Sequence, residues 1–496
     1  MKKLLILLTT LIIVFFGTLL LFPSLYYSSS FGQKIILRFE GDKAARFYFN
    51  PKSGSTDTLY MKGVIYSGTL EDFNYVIKKH PEIKTLTMAE VPGSVDDETN
   101  LAVSLLIRAH GINTYIPENG WVASGGTDMF LAGYKRERHL NTRIGVHSWG
   151  GEKLKATEYP RNHEVHRKYL NYYRDIGISK DFYWFTLEAA PAEKTHWLSV
   201  QEIDKFNVIT ETIFDKMLIN QKTLSSDEYR GRKTGENQKA QALISESFNN
   251  TGLLTFNNSY KQEFNFFNEE EQKTYCATNI IGYRTGSKLP DKYIVIGAHY
   301  DHLGVIQDSI YNGADDNASG TAALMMLAEY FSVFQPRHSI IFAAFDAEEM
   351  GLHGSRYFID NPPVKTDNII LDINMDMLSY NPNNEIYVSG TYYYPQFRDL
   401  IEEIEHDDDL VVLFGHDDPN DKTIDYWMNG SDNAPFFRKG VPNITFSEED
   451  HVYYHQPGDD YRNMHHVFYK GVAGFILDVI KEVDMGMPQT EERDKQ

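Results

Sequence analysis

Three apolar runs in the second half of this chain end on histidine or carboxylate residues. Residues 293–298 (YIVIGA) lead into His299-Tyr300-Asp301, residues 339–345 (SIIFAAF) into Asp346-Ala347-Glu348-Glu349, and residues 369–373 (IILDI) into Asn374-Met375-Asp376. Such runs read as strands, and ligands of open α/β sheets bind beyond the carboxyl ends of the strands. A fourth contribution, Gly313-Ala314-Asp315-Asp316-Asn317, precedes an Ala/Leu/Met-rich stretch at 318–331 that reads as a helix. Asn317 or Ser319 suits its N-cap, and an acid at that end is stabilised as the anion. Taken singly, each group is the common solvated acid or helix cap. Together, several carboxylates on one edge repel one another unless cations compensate them. Histidine with carboxylate suits zinc. The donors are too many for one ion that keeps an open position, and two ions about 3.5–4 Å apart sharing a carboxylate fit better. Spacing does not choose between Asp315 and Asp316.

Five blocks, AHYDHLG (298–304), NGADDNASGTAAL (312–324), FAAFDAEEMGLHGS (342–355), NMDML (374–378) and YYHQPGD (453–459), stand in this order. They resemble those of the two-zinc exopeptidases related to bacterial leucyl aminopeptidase, whose fold glutamate carboxypeptidase II, transferrin receptor and glutaminyl cyclase share. Leu224 to Arg232 (LSSDEYRGR) resembles the start of that domain, so the likeness covers roughly residues 210–483. The resemblance implies that His299 and Asp376 hold one zinc, Glu349 and His455 the other, and Asp316 both. It implies Glu348 as general base and Asp301 as the partner of the His299 ring. His302, His353 and His451 fall outside the ligand positions and read as rim or surface histidines. Tyr453 and Tyr454 read equally as substrate contacts or as packing beside His455. Many relatives carry Ser-Asp-His before the last block, where this chain has Ser431-Asp432-Asn433. The implied reaction is metal-assisted hydrolysis of peptide bonds, foremost the release of N-terminal amino acids. Transferrin receptor-like members lack ligands and glutaminyl cyclases use one zinc; the complete set here points away from both.

Positioning these groups requires an α/β architecture with a mixed sheet flanked by helices over residues 210–486, followed by a polar tail at 487–496. Residues 31–209 form a second α/β domain by the same reasoning: strands at 59–66, 83–88 and 114–116 alternate with helices at 70–79, 98–110 and near 128–133. This half resembles the Clp protease proteolytic subunit and related Clp/crotonase-like folds through Lys84 to Met88 (KTLTM), Val122 to Thr127 (VASGGT), Phe130 to Gly133 (FLAG) and Arg143 to His147 (RIGVH). The resemblance places Ser124 as nucleophile and His147 as its base. The family's aspartate falls near Thr195, with Glu193 the nearest substitute, and its Gly-Gly oxyanion segment reads Val91-Pro92-Gly93-Ser94. Proline has no N–H to donate. A degenerate domain is therefore expected, serving assembly, and Clp-like folds imply a homo-oligomer.

The 496 residues carry a formal net charge of −21, which disfavours nucleic acid as a partner. Hydrophobic residues make up 42 %, enough for sizeable cores. One cysteine, Cys276, allows neither an intrachain disulfide nor a thiolate zinc cluster. Lys2 and Lys3 precede an apolar run from Leu4 to Phe22, long enough to span a bilayer as a helix. Pro23 to Tyr27 (PSLYY) makes a poor cleavage site. Residues 1–30 thus read as an uncleaved signal anchor with the body extracytoplasmic, or secreted if cleaved. Three rivals remain: a carboxypeptidase acting on acidic peptides, a bifunctional protease with a working serine site, and a non-enzymatic assembly module.

Overall fold

The computed structural model describes residues 30–39, 41–51, 55–150, 155–406 and 408–486. The apolar run at 4–22 and the tail at 487–496 lie outside them. Among the described residues no helix is long and apolar enough to cross a membrane. The chain divides into two compact units with the boundary between Thr212 and Ile213.

In the first unit, strands β1 (Arg46–Tyr48), β2 (Thr58–Lys62), β3 (Thr85–Val91), β4 (Asn113–Ile116), β5 (Trp121–Ala123), β6 (Arg136–Arg138), β7 (Arg143–Val146) and β8 (His196–Trp197) make one sheet. Its order is β1-β2-β3-β5-β7-β8, with β4 pairing β3 and β6. The inner pairs are parallel, and only β1 and β8 run antiparallel to their neighbours. Parallel strands need crossovers. The crossovers carry α2 (Thr69–Lys79), α3 (Asp97–Ala109) and α4 (Gly125–Leu131), while α1 (Ser30–Phe39) precedes β1, and α5 (Arg167–Ile176), α6 (Lys180–Ala189) and α7 (Val200–Lys205) follow β7. Asp96 caps α3 by accepting the Thr99 N–H at 3.0 Å. Leu59, Met61, Leu86, Met88, Val122 and Ile144 from four neighbouring strands bury together in the core.

The second unit opens with α8 (Ile213–Leu224) and α9 (Gln238–Asn250) and contains β9 (Lys261–Asn268), β10 (Lys273–Arg284), β11 (Leu289–His299), β12 (Gly304–Ile306) and β13 (Ser309–Tyr311). Then follow α10 (Ala318–Val333), β14 (His338–Phe345), α11 (His353–Asp360), β15 (Ile369–Asp376), β16 (Glu385–Ser389), α12 (Pro395–Glu402), β17 (Val411–Phe414), α13 (Asn433–Arg438), β18 (Asn443–Ser447) and α14 (His466–Gly486). The main sheet runs β17-β16-β18-β15-β11-β14-β10-β9. Its centre, β18-β15-β11-β14, is parallel, so all four carboxyl ends reach one edge. Every residue of β14 is buried, as a strand covered on both faces requires. The β9-β10 hairpin and the long helix α14 extend beyond what the apolar runs announced. β9 is half exposed along its length and carries little apolar signal.

Candidate metal centre

Each predicted ligand sits where a strand or loop reaches that edge. His299 ends β11, Glu348 and Glu349 follow β14, Asp376 ends β15, Asp316 precedes α10, and His455 lies between β18 and α14. Nε2 of His299 stands 3.2 Å from Oδ1 of Asp376 and 3.4 Å from Oδ1 of Asp316. Nε2 of His455 stands 3.1 Å from Oδ2 of Asp316 and 3.3 Å from Oε2 of Glu349. Asp316 therefore turns one oxygen to each half. Two donors about 2.0–2.1 Å from one tetrahedral ion stand about 3.3–3.4 Å apart, so this donor set fits zinc in both halves. Asp315 points elsewhere: its carboxylate accepts from the Ser379 N–H (2.6 Å) and hydroxyl (2.8 Å) and lies 3.1 Å from Nε2 of His451.

The supporting contacts differ in part from the sequence reading. Nδ1 of His299 lies 3.2 Å from the Asp301 carbonyl oxygen but 3.8 Å from its Oδ1. The Asp301 carboxylate instead accepts the N–H groups of Glu348 (3.1 Å) and Glu349 (3.4 Å), fixing the turn that carries the base and a ligand. His302 is not a rim histidine. It is buried with Nδ1 2.6 Å from Oε1 of Glu349, which leaves Oε2 for His455. With Asp316 and Glu349 it forms a second trio of clustered donors. The His451 side chain is also buried, because Asp315 draws it inward. His353 stacks on Phe266 with ring centroids 3.8 Å apart. Tyr454 stacks on His455 at 4.0 Å, and Tyr453 packs on Tyr380 at 5.4 Å. Ser431 donates to Oδ2 of Asp376 at 2.6 Å, whereas the Asn433 amide reaches the Trp427 carbonyl at 3.4 Å.

Three further residues had no role in the sequence reading. Arg232 is fully buried and donates to the carbonyls of Tyr300, Leu224, Asn312, Gly313 and Asp316. Asp459, inside the YYHQPGD block, accepts the N–H groups of Asp315 (2.8 Å) and Asp316 (3.1 Å). Asp346 accepts from Thr278 N–H, Asn237 and Thr234 beneath the Glu348 turn. Gly313 has φ +56, and a Cβ there would fall 2.1 Å from the Asp316 carbonyl and 2.6 Å from the His302 ring. Only glycine lets this loop close over the buried histidine.

Electrostatics follow from so much buried charge. Burial opposes charge on His299, but Asp376, Glu348 and Asp316 hold the imidazole well above its usual range. Burial likewise opposes charge on His455, yet Asp316 and Glu349 push it up to about 10. Burial drives Glu348 well above the usual carboxylate range, against the pull of His299. Glu349 goes the other way: His302 and His455 outweigh burial and hold it low. Carboxylates thus recruit protons to their neighbours, the work a cation would otherwise do. Asp450 and Asp425 add negative charge nearby, and burial with that pairing raises Asp450.

Residues 279–480 match the model of Peptidase family M28. The chain is 30 % identical over 219 residues to the probable glutamate carboxypeptidase VP8 of Zea mays, covering 40 % of this chain and 29 % of that protein. It is 27 % identical over 198 residues to aminopeptidase YwaD of Bacillus subtilis, covering 37 % of this chain and 39 % of that protein. The matched stretch thus spans well under half the length of these curated relatives. The solved structure of BSAP, a zinc aminopeptidase from Bacillus subtilis, superposes with a TM-score of 0.44 at 17 % identity, over 54 % of this chain and 95 % of that one. The C-terminal half of this chain carries a Peptidase family M28 domain.

Proposed function

We propose that the second unit is a two-zinc aminopeptidase, with His299 and Asp376 on one ion, Glu349 and His455 on the other, and Asp316 on both. The observation that carries this reading is the division of the two Asp316 oxygens between His299 and His455, at 3.4 and 3.1 Å. Zinc supplies Lewis acidity at such a site, acidifying water and polarising a carbonyl. Glu348 takes a proton from the attacking water and returns it to the leaving amine, a role that a raised carboxyl pKa suits. Asp301 holds the Glu348 N–H, and His302 holds one oxygen of Glu349. Aminopeptidase action is favoured over carboxypeptidase action by charge. Asp425 and Asp450 suit a substrate ammonium group. Arg232, which holds the ligand loops, is sealed by backbone carbonyls and cannot receive a substrate carboxylate. Residues 1–30 anchor the chain with its body extracytoplasmic, a reading that rests on Lys2, Lys3 and the apolar run after them.

A second reading, an additional serine site in the Clp-like first unit, is supported by the backbone of Ser124. Its φ of 52° and ψ of −128° place it in a strained conformation before α4. Ser124 and His147 line one cavity, and Nδ1 of His147 lies 2.8 Å from the Ser148 carbonyl, leaving Nε2 for a base. Against activity, Glu193 pairs with Lys155 at 3.4 Å rather than with His147. One panel of free and N-blocked aminoacyl substrates tests both readings. Chelator and Glu348→Gln should each abolish release of N-terminal residues, the latter by about 10²–10⁴-fold with bound metal retained. Ser124→Ala should leave it unchanged. Hydrolysis that survives chelation and Glu348→Gln but is lost in Ser124→Ala would reverse the assignment.

A further inference from the structure

The first unit holds a cavity that the metal chemistry does not use. The starts of α3 and α4, the end of β7 and the helices α5 and α6 enclose it. Asp97 and Asp128 face it, walled by Trp149, Tyr169, Tyr173 and Tyr183. The rings form a continuous surface. Trp149 stacks on Tyr169 at 5.9 Å and Tyr169 on Tyr183 at 5.5 Å, while Tyr173 meets Tyr183 at 5.9 Å. Hydrogen bonds lock them in place: the Trp149 indole donates to the Tyr183 hydroxyl at 3.1 Å.

The two acids are held toward the cavity by tyrosines. The Tyr173 hydroxyl donates to Oδ1 of Asp128 at 2.6 Å, and the Tyr169 hydroxyl to Oδ2 of Asp97 at 2.5 Å. Lys168 approaches the same Asp97 oxygen at 3.7 Å. Asp128 has no such partner: among the described residues no cationic side chain pairs with it. It faces the cavity yet is surrounded by protein, and burial with the repulsion of Asp97 pushes its carboxyl up to about 7. Two neighbouring carboxylates repel anions, and an unbalanced acid on an aromatic floor disfavours a neutral occupant. Aromatic faces and a carboxylate together select a cation, and the rings cover the aliphatic stem that carries it.

We propose that this cavity binds an alkylammonium or guanidinium group, the end of a Lys or Arg side chain of a peptide, with Asp128 as counter-ion. The proposal concerns binding alone. It stands or falls independently of the metal centre and of any nucleophilic role for Ser124.

The test titrates the full chain with N-acetylated tetrapeptide amides holding one Lys, Arg, norleucine or citrulline, and with n-butylammonium, read by calorimetry and by tryptophan fluorescence. The Lys and Arg peptides should bind at least about tenfold tighter than norleucine and citrulline, the scale of one charge-assisted contact. Asp128→Asn should abolish that preference. Tyr173→Phe, which keeps the ring and removes the hydroxyl that orients Asp128, should weaken it. Trp149→Phe should remove the fluorescence change while calorimetric binding persists. Equal binding of neutral peptides, a preference that survives Asp128→Asn, or no binding at millimolar peptide would each overturn the proposal. If n-butylammonium alone matches the lysine peptide, the peptide as source of the cation is rejected.

Discussion

Replacing Arg232 by methionine tests whether one buried guanidinium fixes the loops of the candidate metal site. Its five N–H groups meet five carbonyls: Tyr300 at 2.8 Å from Nε, Leu224 and Asn312 at 2.9 and 2.6 Å from Nη1, Gly313 and Asp316 at 2.8 and 3.4 Å from Nη2. The guanidinium has five donors in all, so none is left over. Four of these carbonyls lie beside His299 or within the loop that ends at Asp316. Burial lowers the Arg232 pKa to about 10, while Asp459, Asp316, Asp301 and Glu349 oppose that shift, so the group stays charged at neutral pH. Met fills a similar space without donors and strands four buried acceptors, since the Gly313 carbonyl keeps the Ala318 N–H at 3.1 Å. Each stranded group costs about 1–3 kcal/mol, offset by the desolvation that arginine no longer suffers. The net loss should be about 3–5 kcal/mol, as for removing one partner of a buried charged network. That is a large share of the about 5–15 kcal/mol that holds a typical domain. Arg232→Lys keeps the charge but has three donors on a single nitrogen, so about half the loss should remain. Urea unfolding of the metal-free protein, followed by far-UV circular dichroism, measures both variants; kcat and metal content follow on the loaded protein. A methionine variant within about 1 kcal/mol of the parent, with kcat unchanged, would refute the clamp, because so many stranded carbonyls cannot be that cheap.

Two further outcomes separate close alternatives. Asp316→Asn should cut metal uptake from two ions to one or fewer per chain and lower kcat by at least about 10²-fold, whereas Asp315→Asn, whose carboxylate serves Ser379 and His451, should keep both ions. Metal titration followed by elemental analysis decides, and the reverse pattern would exchange the two assignments. For pH, Asp128 has a folded pKa of about 7 against an ordinary 3.8, so the folded state keeps its proton where the unfolded chain has lost it. Its contribution is therefore most favourable below the unfolded value and declines as pH rises toward 7, by at most about 4 kcal/mol. Asp128→Asn should lack this slope and gain on the parent between pH 5 and 8. Four of the five tryptophans lie in the first unit, so fluorescence-detected unfolding follows it. A parent-minus-variant difference that is flat with pH would contradict the burial of this acid.

Much of the candidate site's clustering was legible because its groups lie at strand ends. A strand announces itself over a few consecutive residues, so His299, Glu349 and Asp376 could be placed at sheet ends from local pattern alone. His455 and the choice of Asp316 over Asp315 needed the family resemblance, because a loop carries no periodicity. The β9 strand escaped for a related reason: half exposed, it lacks an apolar run. His302 read as a rim residue because burial is not written in residue type. It is decided by the Gly313 loop closing over it.

What the residue order determined by itself was the supply of chemistry: which groups can ligate, donate or take a proton, and that several lie at the ends of strands. The pairing of β11 between β14 and β15 was decided only in three dimensions, and with it the 3.1–3.4 Å spacings around Asp316. The same holds for Arg232 reaching four carbonyls 68 to 84 positions away and for Asp128 meeting Tyr173, 45 residues on. Local pattern is carried by neighbours in the chain, whereas a separation of a few ångströms between distant segments is set by how whole layers pack.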